Sequence, residues 1–486
     1  MNKIFLNKAK QLVPSLHKEE LDFDLKGVRL EDRKPFVIDL GDHYTGYFSV
    51  KFSFKGSPVD SPVLLRIKFC ERPGEIEEDA SLYQGWVSRS WIQEEFVHLD
   101  LLPTTLRLER RYACRYIVLE VVASSSKYQV YADGCHFTAV SSASGKVKPV
   151  GKDEKERRID TVAVRTLSEC MQTEFEDGPK RDRRLWLGDL RLQALTNYYT
   201  YKSNDLVKRC LYLFAGTAQN DGTLSACVFT KPKVVADDTV MFDYSLFFIS
   251  VLHDYYFHTK DLATLKDLLP LAAKQIELAS IRFHDDVIED SDVLGWCFLD
   301  WNLALNKQCG AQAIYIYALR QLIALKRELG LDTVALERDL KAKIGAGIRA
   351  FYDKDLGVFV SGKDRQISFA SNVWMVLAEV FDKKQNCEIL SRLPVLNALA
   401  MVTPYMYHHY VLALIESGLG EEARLSMDAY WGAMVDDGAD TFYELFNPLS
   451  PDESPYGGKA VLSYCHAWSC TPSYLLRKFF EVKDHD

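Results

Sequence analysis

The spacing of apolar residues changes once along this chain of 486 residues, and that change limits the folds open to it. From about residue 35 to 142, short apolar runs rich in β-branched and aromatic residues are separated by Gly, Pro, Asp and Ser. Such runs are typical of strands, and we expect roughly six to eight of them. Polar Ser49, Lys51 and Ser53 alternate with apolar neighbours. One sheet face should therefore be buried, which predicts a β-sandwich or jelly roll.

After a polar stretch at 141–158 the apolar period becomes helical and stays so to the end, which predicts about twelve helices. The predicted joints alternate between nearly absent and mostly long. If consecutive helices are antiparallel, all long joints gather at one end. Long loops are usually functional, so that end should carry the site. The pattern predicts an (α/α)6 barrel; a helical solenoid is the alternative, but no sequence repeat supports it.

These two patterns predict two domains. A chain of this length exceeds the usual size of a single core, roughly 250 to 300 residues. We expect a β-sandwich accessory domain at 1–150 and an (α/α)6 six-hairpin catalytic domain at 151–486. The sandwich is expected to pack on the second domain, with carbohydrate binding as the alternative role.

Local signals predict several helix boundaries. Asp189 and Thr259 stand where N-terminal caps belong. Pro270 and Pro472 should kink or split their helices. The last helix is predicted at 457–481.

Charge and apolar content exclude several function classes. The net charge is −9, the isoelectric point is near 5.8, and no long Lys/Arg run occurs. A nucleic-acid or anionic-membrane partner is therefore not expected, and a neutral or cationic small partner is favoured. No apolar run reaches transmembrane or signal-peptide length, so a cytoplasmic protein is expected, or a periplasmic one whose leader was removed.

The cysteines and the known motifs argue against a metal centre. Eleven cysteines are scattered without CxxC spacing, which predicts buried free thiols. His408 and His409 are adjacent, so on a helix they point in different directions and are poorly placed to share a metal. HExxH, P-loop, GxGxxG and GxSxG motifs are absent. No cofactor is expected.

Carboxylates lie beside aromatic or basic side chains in three predicted long joints, and the predicted last helix adds a histidine and a tryptophan. Sugar chemistry needs this combination, because indoles stack on apolar ring faces and paired carboxyl groups divide acid and base duties. The candidates are Glu176, Asp177, Arg181, Asp182, Arg183, Arg184, Trp186 and Asp189 in the first joint, Trp296, Asp300 and Trp301 in the second, Asp440 and Glu444 in the third, and His466 and Trp468 in the last helix.

Each candidate also has a purely structural interpretation. The charges of RDRR are equally explained by surface salt bridges, and Asp177 by a turn with Gly178 and Pro179. Asp189 is equally explained as a helix cap, and His466 as an interior histidine. The convergence of several loops on one rim favours function over these alternatives.

The segment DGPKRDRRLWLGD at 177–189 resembles the α-L-rhamnosidase family, whose (α/α)6 domain carries a motif of the type Asp-Cys-Pro-x-Arg-x-Glu-Arg followed by Trp and Gly-Asp. The resemblance continues through LDW at 299–301, TFYE at 441–444 and CHAWS at 465–469. The preceding sandwich also looks like the one in that family. Most of the chain is covered.

The resemblance implies hydrolysis with inversion, in which one carboxylic acid protonates the leaving oxygen and a second carboxylate activates water. It implies that Glu444 is the general base. The family's acid falls at Asp182 when one residue fewer is allowed, and at Arg183 without that gap. The sugar-binding residues implied or expected are Asp177, Arg181, Trp186, Asp189, Asp300, Trp301, His466 and Trp468.

The leading hypothesis is an inverting glycosidase acting on terminal α-L-rhamnosides or a closely related glycoside, with a carbohydrate as its partner. A sugar-binding protein that has lost the acid is one alternative, motivated by Arg183 and the missing glutamate. A six-hairpin polysaccharide lyase is the other.

Overall fold

Seven antiparallel strands form the N-terminal sandwich of this computed structural model, which describes residues 2–451 and 454–481. Hydrogen bonds join them in the order β1, β7, β2, β6, β3, β4, and β5 pairs with β2. The strands are β1 His17–Leu30, β2 Phe36–Gly56, β3 Val63–Cys70, β4 Glu94–Leu99, β5 Thr104–Arg107, β6 Tyr112–Ala123 and β7 Tyr128–Ser141. The long β2 pairs with β6 in its first half and with β5 and β7 in its second.

The sandwich core confirms the predicted alternation. Phe48, Val50 and Phe52 of β2 are buried, whereas Lys51 between them is exposed. This burial of every second residue gives the sheet one apolar face. Strand β1 lies outside the range predicted from the sequence, because its polar and apolar residues alternate without a continuous apolar run.

One helix precedes the sandwich and packs on the second domain. It is α1, Lys3–Gln11, capped by the side chain of Asn2. The backbone N–H of Asn2 donates to the carbonyl of Gly216, 2.8 Å away. The sequence analysis missed this helix.

Helices make up most of the second domain. They are α2 Glu154–Cys170, α3 Leu187–Tyr199, α4 Asn204–Thr217, α5 Phe242–Thr259, α6 Leu262–Ser280, α7 Ser291–Leu294, α8 Gln308–Glu328, α9 Val334–Phe351, α10 Phe369–Leu377, α11 Lys383–Arg392, α12 Pro404–Glu416, α13 Gly420–Met427, α14 Ala433–Asp436 and α15 Pro472–Leu475. Short hairpin strands lie in the joints: β8 Leu185–Trp186, β9 Cys227–Phe229, β10 Val235–Ala236, β11 Phe283–His284, β12 Val287–Ile288, β13 Tyr352–Asp353 and β14 Val358–Phe359.

The helices form the two rings of an (α/α)6 barrel. Helices α3, α5, α8, α10 and α12 contact one another in sequence, and α15 packs on α3. The inner helices are buried along most of their length, whereas α9 and α11 expose one face. Joints that follow an inner helix are short, and those that lead into one are long. The fold class and the alternation of joints are confirmed.

Four local predictions differ in whole or in part from the structure. The segment predicted as a helix at 457–481 is irregular until α15, with single helical turns at Lys459–Val461 and Ala467–Ser469. Pro472 begins α15, and α6 continues through Pro270. Asp261, not Thr259, caps α6 by accepting from the N–H of Thr264 at 3.0 Å.

The predictions about cysteines and membrane spans can also be compared with the structure. The eleven cysteines, all within the described residues, are free, and all but Cys387 are buried. In the part of the chain that the structure describes, no helix has the length and apolarity needed to cross a bilayer.

Candidate active site

The joint between α2 and α3, residues 171–186, is here named the acid loop. Asp177 folds it into a compact turn: its carboxylate accepts from the backbone N–H of Asp182 at 3.1 Å and of Arg184 at 3.0 Å. The backbone N–H of Asp177 donates to the carbonyl of Arg184 at 2.9 Å. Asp177 therefore fixes the backbone on which Asp182 is carried.

Arg181 connects the acid loop to the joint before α15. Its Nη1 lies 3.3 Å from Oδ1 of Asp182, and its Nη2 contacts Oε2 of Glu444. Its Nε donates to the carbonyl of Val461 at 2.9 Å, and its guanidinium lies 4.0 Å from the centroid of the Tyr456 ring. One buried cation thus touches both carboxylates predicted to be catalytic.

Glu444 lies at the centre of this cluster, with only 4% of its side chain exposed. The hydroxyl of Tyr456 donates to Oε1, opposite the contact with Arg181. The backbone of Glu444 is also held, because its N–H donates to Ser463 O at 2.9 Å and its carbonyl accepts from Trp468 Nε1 at 2.9 Å. Both oxygens and the backbone are therefore fixed in place.

Asp189, His466 and Trp468 form the adjoining wall. Asp189 lies in the first turn of α3, whose N-cap is Trp186, so the prediction of a capping role for Asp189 was wrong. Nδ1 of His466 is 3.5 Å from Oδ1 of Asp189, and its ring centroid is 4.3 Å from that of Trp468. His466 precedes a short helical turn and does not lie in a helix.

Burial sets the protonation of this wall. Burial, followed by the charge of Asp182, raises the pKa of Asp177 to about 8. Burial, together with Asp177 and Glu444, raises the pKa of Asp189 well above its usual range. Burial and the nearby Arg181 lower the pKa of His466 to about 3. Burial therefore favours the neutral forms of Asp177, Asp189 and His466, and neutral groups are good partners for uncharged hydroxyls.

Asp300 and Trp301 reach the cluster from the joint between α7 and α8. The Asp300 carboxylate accepts from the backbone N–H groups of Trp301, Val402 and Thr403 at 2.8 to 3.0 Å. Burial raises the pKa of Asp300 to about 6. The Trp301 ring meets the Tyr456 ring edge to face at 6.3 Å. Asp300 therefore ties this joint to the start of α12 and sets the position of Trp301.

Trp186 precedes α3, the helix that carries Asp189. It is half-buried and meets Tyr244 of α5 edge to face, with ring centroids 6.3 Å apart. Trp468 packs on Phe298 at 5.4 Å. These indoles and phenyl rings give the site an apolar lining beside its carboxyl groups.

Three buried polar atoms in this region lack a hydrogen-bond partner among the described residues. They are Oδ1 of Asp189, Nδ1 of His466 and Nε1 of Trp301. Buried polar groups are normally satisfied by protein or by ordered water, so unsatisfied groups gathered in one place indicate a site for a polar ligand.

Several sequence candidates lie elsewhere. Asp440 pairs with Arg115 of the sandwich at 2.7 Å, and Glu176 pairs with Arg111. Trp296 is half-exposed, and its carbonyl accepts from the N–H of Phe242 at 2.8 Å. The first two belong to the boundary between domains.

The sequence analysis missed two residues that hold the site in place. Tyr456, which donates to Glu444, belongs to an irregular segment without a motif. Lys180 is buried and contacts Glu75 of the sandwich, while also donating to Leu462 O at 2.9 Å. Lys180 lies within the segment DGPKRDRR, and this position was the available sequence signal for its contact with the sandwich.

No group of three or more His, Cys, Asp or Glu side chains suited to a metal ion occurs in residues 2–451 and 454–481.

Comparisons with known proteins agree along nearly the whole chain. Residues 10–139 match the model of the glycosyl hydrolase family 78 alpha-rhamnosidase N-terminal domain. Residues 152–479 match the bacterial alpha-L-rhamnosidase 6 hairpin glycosidase domain. No curated protein matches the sequence.

Solved structures show the same similarity. A rhamnosidase from Klebsiella oxytoca with rhamnose bound is 45% identical, with a TM-score of 0.94, over 98% of this chain and 99% of that one. A family 78 rhamnosidase of Bacillus sp. GL1 is 20% identical, with a TM-score of 0.77, over 91% of this chain and 46% of that one. The Streptomyces avermitilis α-L-rhamnosidase complexed with L-rhamnose is 15% identical, with a TM-score of 0.71, over 96% and 44%. This chain spans about half the length of the last two.

Proposed function

The chain belongs to the α-L-rhamnosidase family and is a glycosidase, and from that premise we propose that it is an inverting hydrolase of terminal α-L-rhamnosides. The observation that carries the proposal is the contact of one guanidinium, that of Arg181, with both Asp182 and Glu444. Two carboxyl groups held at one cation are close enough to act on one glycosidic bond.

Asp182 is proposed as the general acid. In its protonated form it gives its proton to the glycosidic oxygen as the bond from that oxygen to the anomeric carbon breaks. Its side chain is 18% exposed, against 4% for Glu444, so it faces the solvent side of the cluster. The departing group must leave on that side, which suits the acid role.

Glu444 is proposed as the general base. It takes a proton from a water molecule whose oxygen bonds to the anomeric carbon from the face opposite the leaving group. The reaction inverts the configuration and ends with Asp182 ionised and Glu444 protonated, which solvent resets. Inverting glycosidases keep their carboxyl groups roughly 6.5 to 9.5 Å apart so that the water fits between them.

The remaining site residues are proposed to bind and enclose the sugar. Asp177 and Asp189 in their protonated forms, with neutral His466, would exchange hydrogen bonds with hydroxyl groups. Asp300 contributes by positioning Trp301. The full set is Asp177, Arg181, Trp186, Asp189, Asp300, Trp301, His466 and Trp468.

Hydrolysis of 4-nitrophenyl α-L-rhamnoside tests the proposal, with the corresponding β-D-glucoside as the matched control. We expect release of nitrophenol and rhamnose from the rhamnoside alone. Binding of the rhamnoside without release would favour the sugar-binding alternative, motivated by Arg183 and the missing glutamate. An unsaturated product absorbing in the ultraviolet from a uronic acid polymer would favour the lyase.

A further inference from the structure

A segment of the sandwich reaches across to the proposed catalytic residues. It is the connection between β3 and β4, residues 71–93, here named the sandwich arm. The hydroxyl of Tyr83 donates to Tyr456 O at 2.7 Å, and the carboxylate of Glu78 accepts from the N–H of Ala460 at 2.6 Å. The arm is therefore fastened to the joint that carries Glu444 and Tyr456.

The arm presents a rigid and exposed indole. Trp86 is 69% exposed, yet its Nε1 donates to Pro455 O at 2.9 Å and its ring lies 5.4 Å from that of Tyr456. Gly85 lets the arm lie directly on the joint, because a Cβ there would be 1.8 Å from Tyr456 O. An indole held in place with its face open to solvent is prepared for stacking, since little freedom remains to be lost on binding.

Three successive contacts connect Trp86 to the proposed acid. Its neighbour Tyr456 lies 4.0 Å from the guanidinium of Arg181, which is 3.3 Å from Asp182. Asp182 is the more exposed of the two proposed catalytic carboxylates. Since the sugar occupies the buried cluster, the group bonded to its anomeric oxygen must extend outward past Asp182.

We propose that Trp86 is the stacking platform for the aglycone, the part of the substrate that leaves. The inference rests on the proposed function and extends it to the leaving-group side. The ligand it fits is a ring with an apolar face, which an aryl group or a sugar ring can supply. The sandwich would thus set aglycone preference although every proposed catalytic group belongs to the helical domain.

The test compares W86A, W86F and the wild type on three substrates. These are 4-nitrophenyl α-L-rhamnoside, α-L-rhamnosyl-(1→6)-glucose and α-L-rhamnosyl fluoride. The leaving group of the fluoride has no ring that could stack on Trp86. For W86A we expect KM to rise about tenfold on the ring-bearing substrates, because an indole stack is lost. KM for the fluoride should stay at the wild-type value, and W86F should recover most of the loss. The aryl and disaccharide arms show which ring is held more tightly.

The matched control is W296A, which removes another exposed indole, away from the proposed site. It should leave all three KM values unchanged. An equal loss for W86A on the fluoride would overturn the proposal, because Trp86 would then act by holding Tyr456. Unchanged KM values for W86A on every substrate would also overturn it. A wild-type protein that hydrolyses none of the three would refute the proposed function instead, independently of Trp86.

Discussion

Buried polar groups serve different purposes at the domain boundary and at the rim of the helical domain. At the domain boundary the sandwich supplies Glu71 and Glu75, whose carboxylates are met by the N–H of Tyr464 at 2.7 Å and by Lys180. At the rim of the helical domain, Asp189 and His466 each keep a buried atom without a partner among the described residues. Paired groups at the boundary hold the acid loop, whereas Oδ1 of Asp189 and Nδ1 of His466, which lie 3.5 Å apart, are placed to bond a ligand.

Replacing Glu444 with Gln should cause the largest loss of activity at the rim of the helical domain. The amide cannot take a proton from water, so kcat should fall about 10⁴-fold, at the upper end of acid–base contributions. The measurement is turnover of an aryl rhamnoside. The thermal unfolding midpoint serves as the control and should remain within a few degrees, because the shape of the side chain is preserved. Retained activity would remove the base assignment.

Replacing Asp182 with Asn should produce the next largest effect. On a rhamnosyl disaccharide, whose leaving group needs a proton, the rate should fall about 10³-fold. On α-L-rhamnosyl fluoride, whose leaving group needs little help, the rate should fall far less. The ratio of the two rates is the readout, and R183Q is the matched control at the neighbouring position. Equal losses on both substrates would contradict the acid role.

Replacing Lys180 with Met tests the sandwich side. The change leaves Glu75 buried without its cation, which should lower the free energy of unfolding by about 3 kcal/mol. Urea unfolding of the K180M variant measures the loss. The double variant K180M/E75Q should recover part of it, since the charge of Glu75 is then removed, while Glu71, which lies 3.4 Å from Lys180, keeps His43 at 3.1 Å. A double variant that is no more stable than K180M would show that Glu75 is not the partner.

The raised pKa of Asp177, about 8 against an ordinary 3.8, predicts a pH-dependent stability. Below pH 4 the Asp177 carboxyl is protonated in both the folded and the unfolded state, so its full contribution to the free energy of unfolding is present. As pH rises towards 8 only the folded state keeps the proton, and stability is lost at up to about 1.4 kcal/mol per pH unit. In the D177N variant this decline should become shallower, because the Asp177 part is removed while the raised pKa values of Asp189 and Asp300 still contribute, as measured by unfolding at pH 4 to 8.

A carboxylate of the sandwich gives a control of opposite sign. The hydrogen bonds from Arg115 lower the pKa of Asp39 below its usual 3.8. Its contribution is therefore present above pH 4 and lost as pH falls further. D39N should change the acid limb of the stability curve and leave the slope from pH 4 to 8 unaltered, with stability there lower by a constant amount. A D177N curve parallel to that of the wild type would contradict the buried, protonated state of Asp177.

The smallest effect is expected at the partly exposed end of the domain boundary. Asp440 pairs with Arg115 at 2.7 Å, and both side chains keep some contact with solvent. D440N should cost about 1 kcal/mol or less of unfolding free energy and leave KM unchanged. A change in KM would return Asp440 to the list of site residues.

The sequence could predict what depends on local pattern. The alternation around Phe48 and Val50 gives the buried sheet face, and the lengths of the joints give the two rings of helices. The spacing of Asp177, Asp182 and Asp189, with the family resemblance, identifies the residues that the structure brings together around Arg181.

What the sequence could not predict depends on contacts between distant segments. The sequence predicts a helix in the last joint, because the apolar residues there show no strand or loop pattern. In the structure these residues are buried on several sides, and such burial leaves no pattern of that kind in the sequence. Tyr456 and Trp86 are single aromatic residues in irregular segments, and nothing local relates one to the other or to Glu444. The spacing of residues along the sequence does not predict such pairs.

Proton NMR of the first sugar released tests the central claim most directly. If Asp182 protonates the leaving oxygen while Glu444 directs water to the opposite face, hydrolysis of an α-L-rhamnoside must first yield β-L-rhamnose, which then mutarotates. Initial appearance of the β anomer is the predicted result. Initial appearance of the α anomer would mean that a carboxylate attacks the sugar itself, and the account of one acid and one base at Arg181 would be wrong.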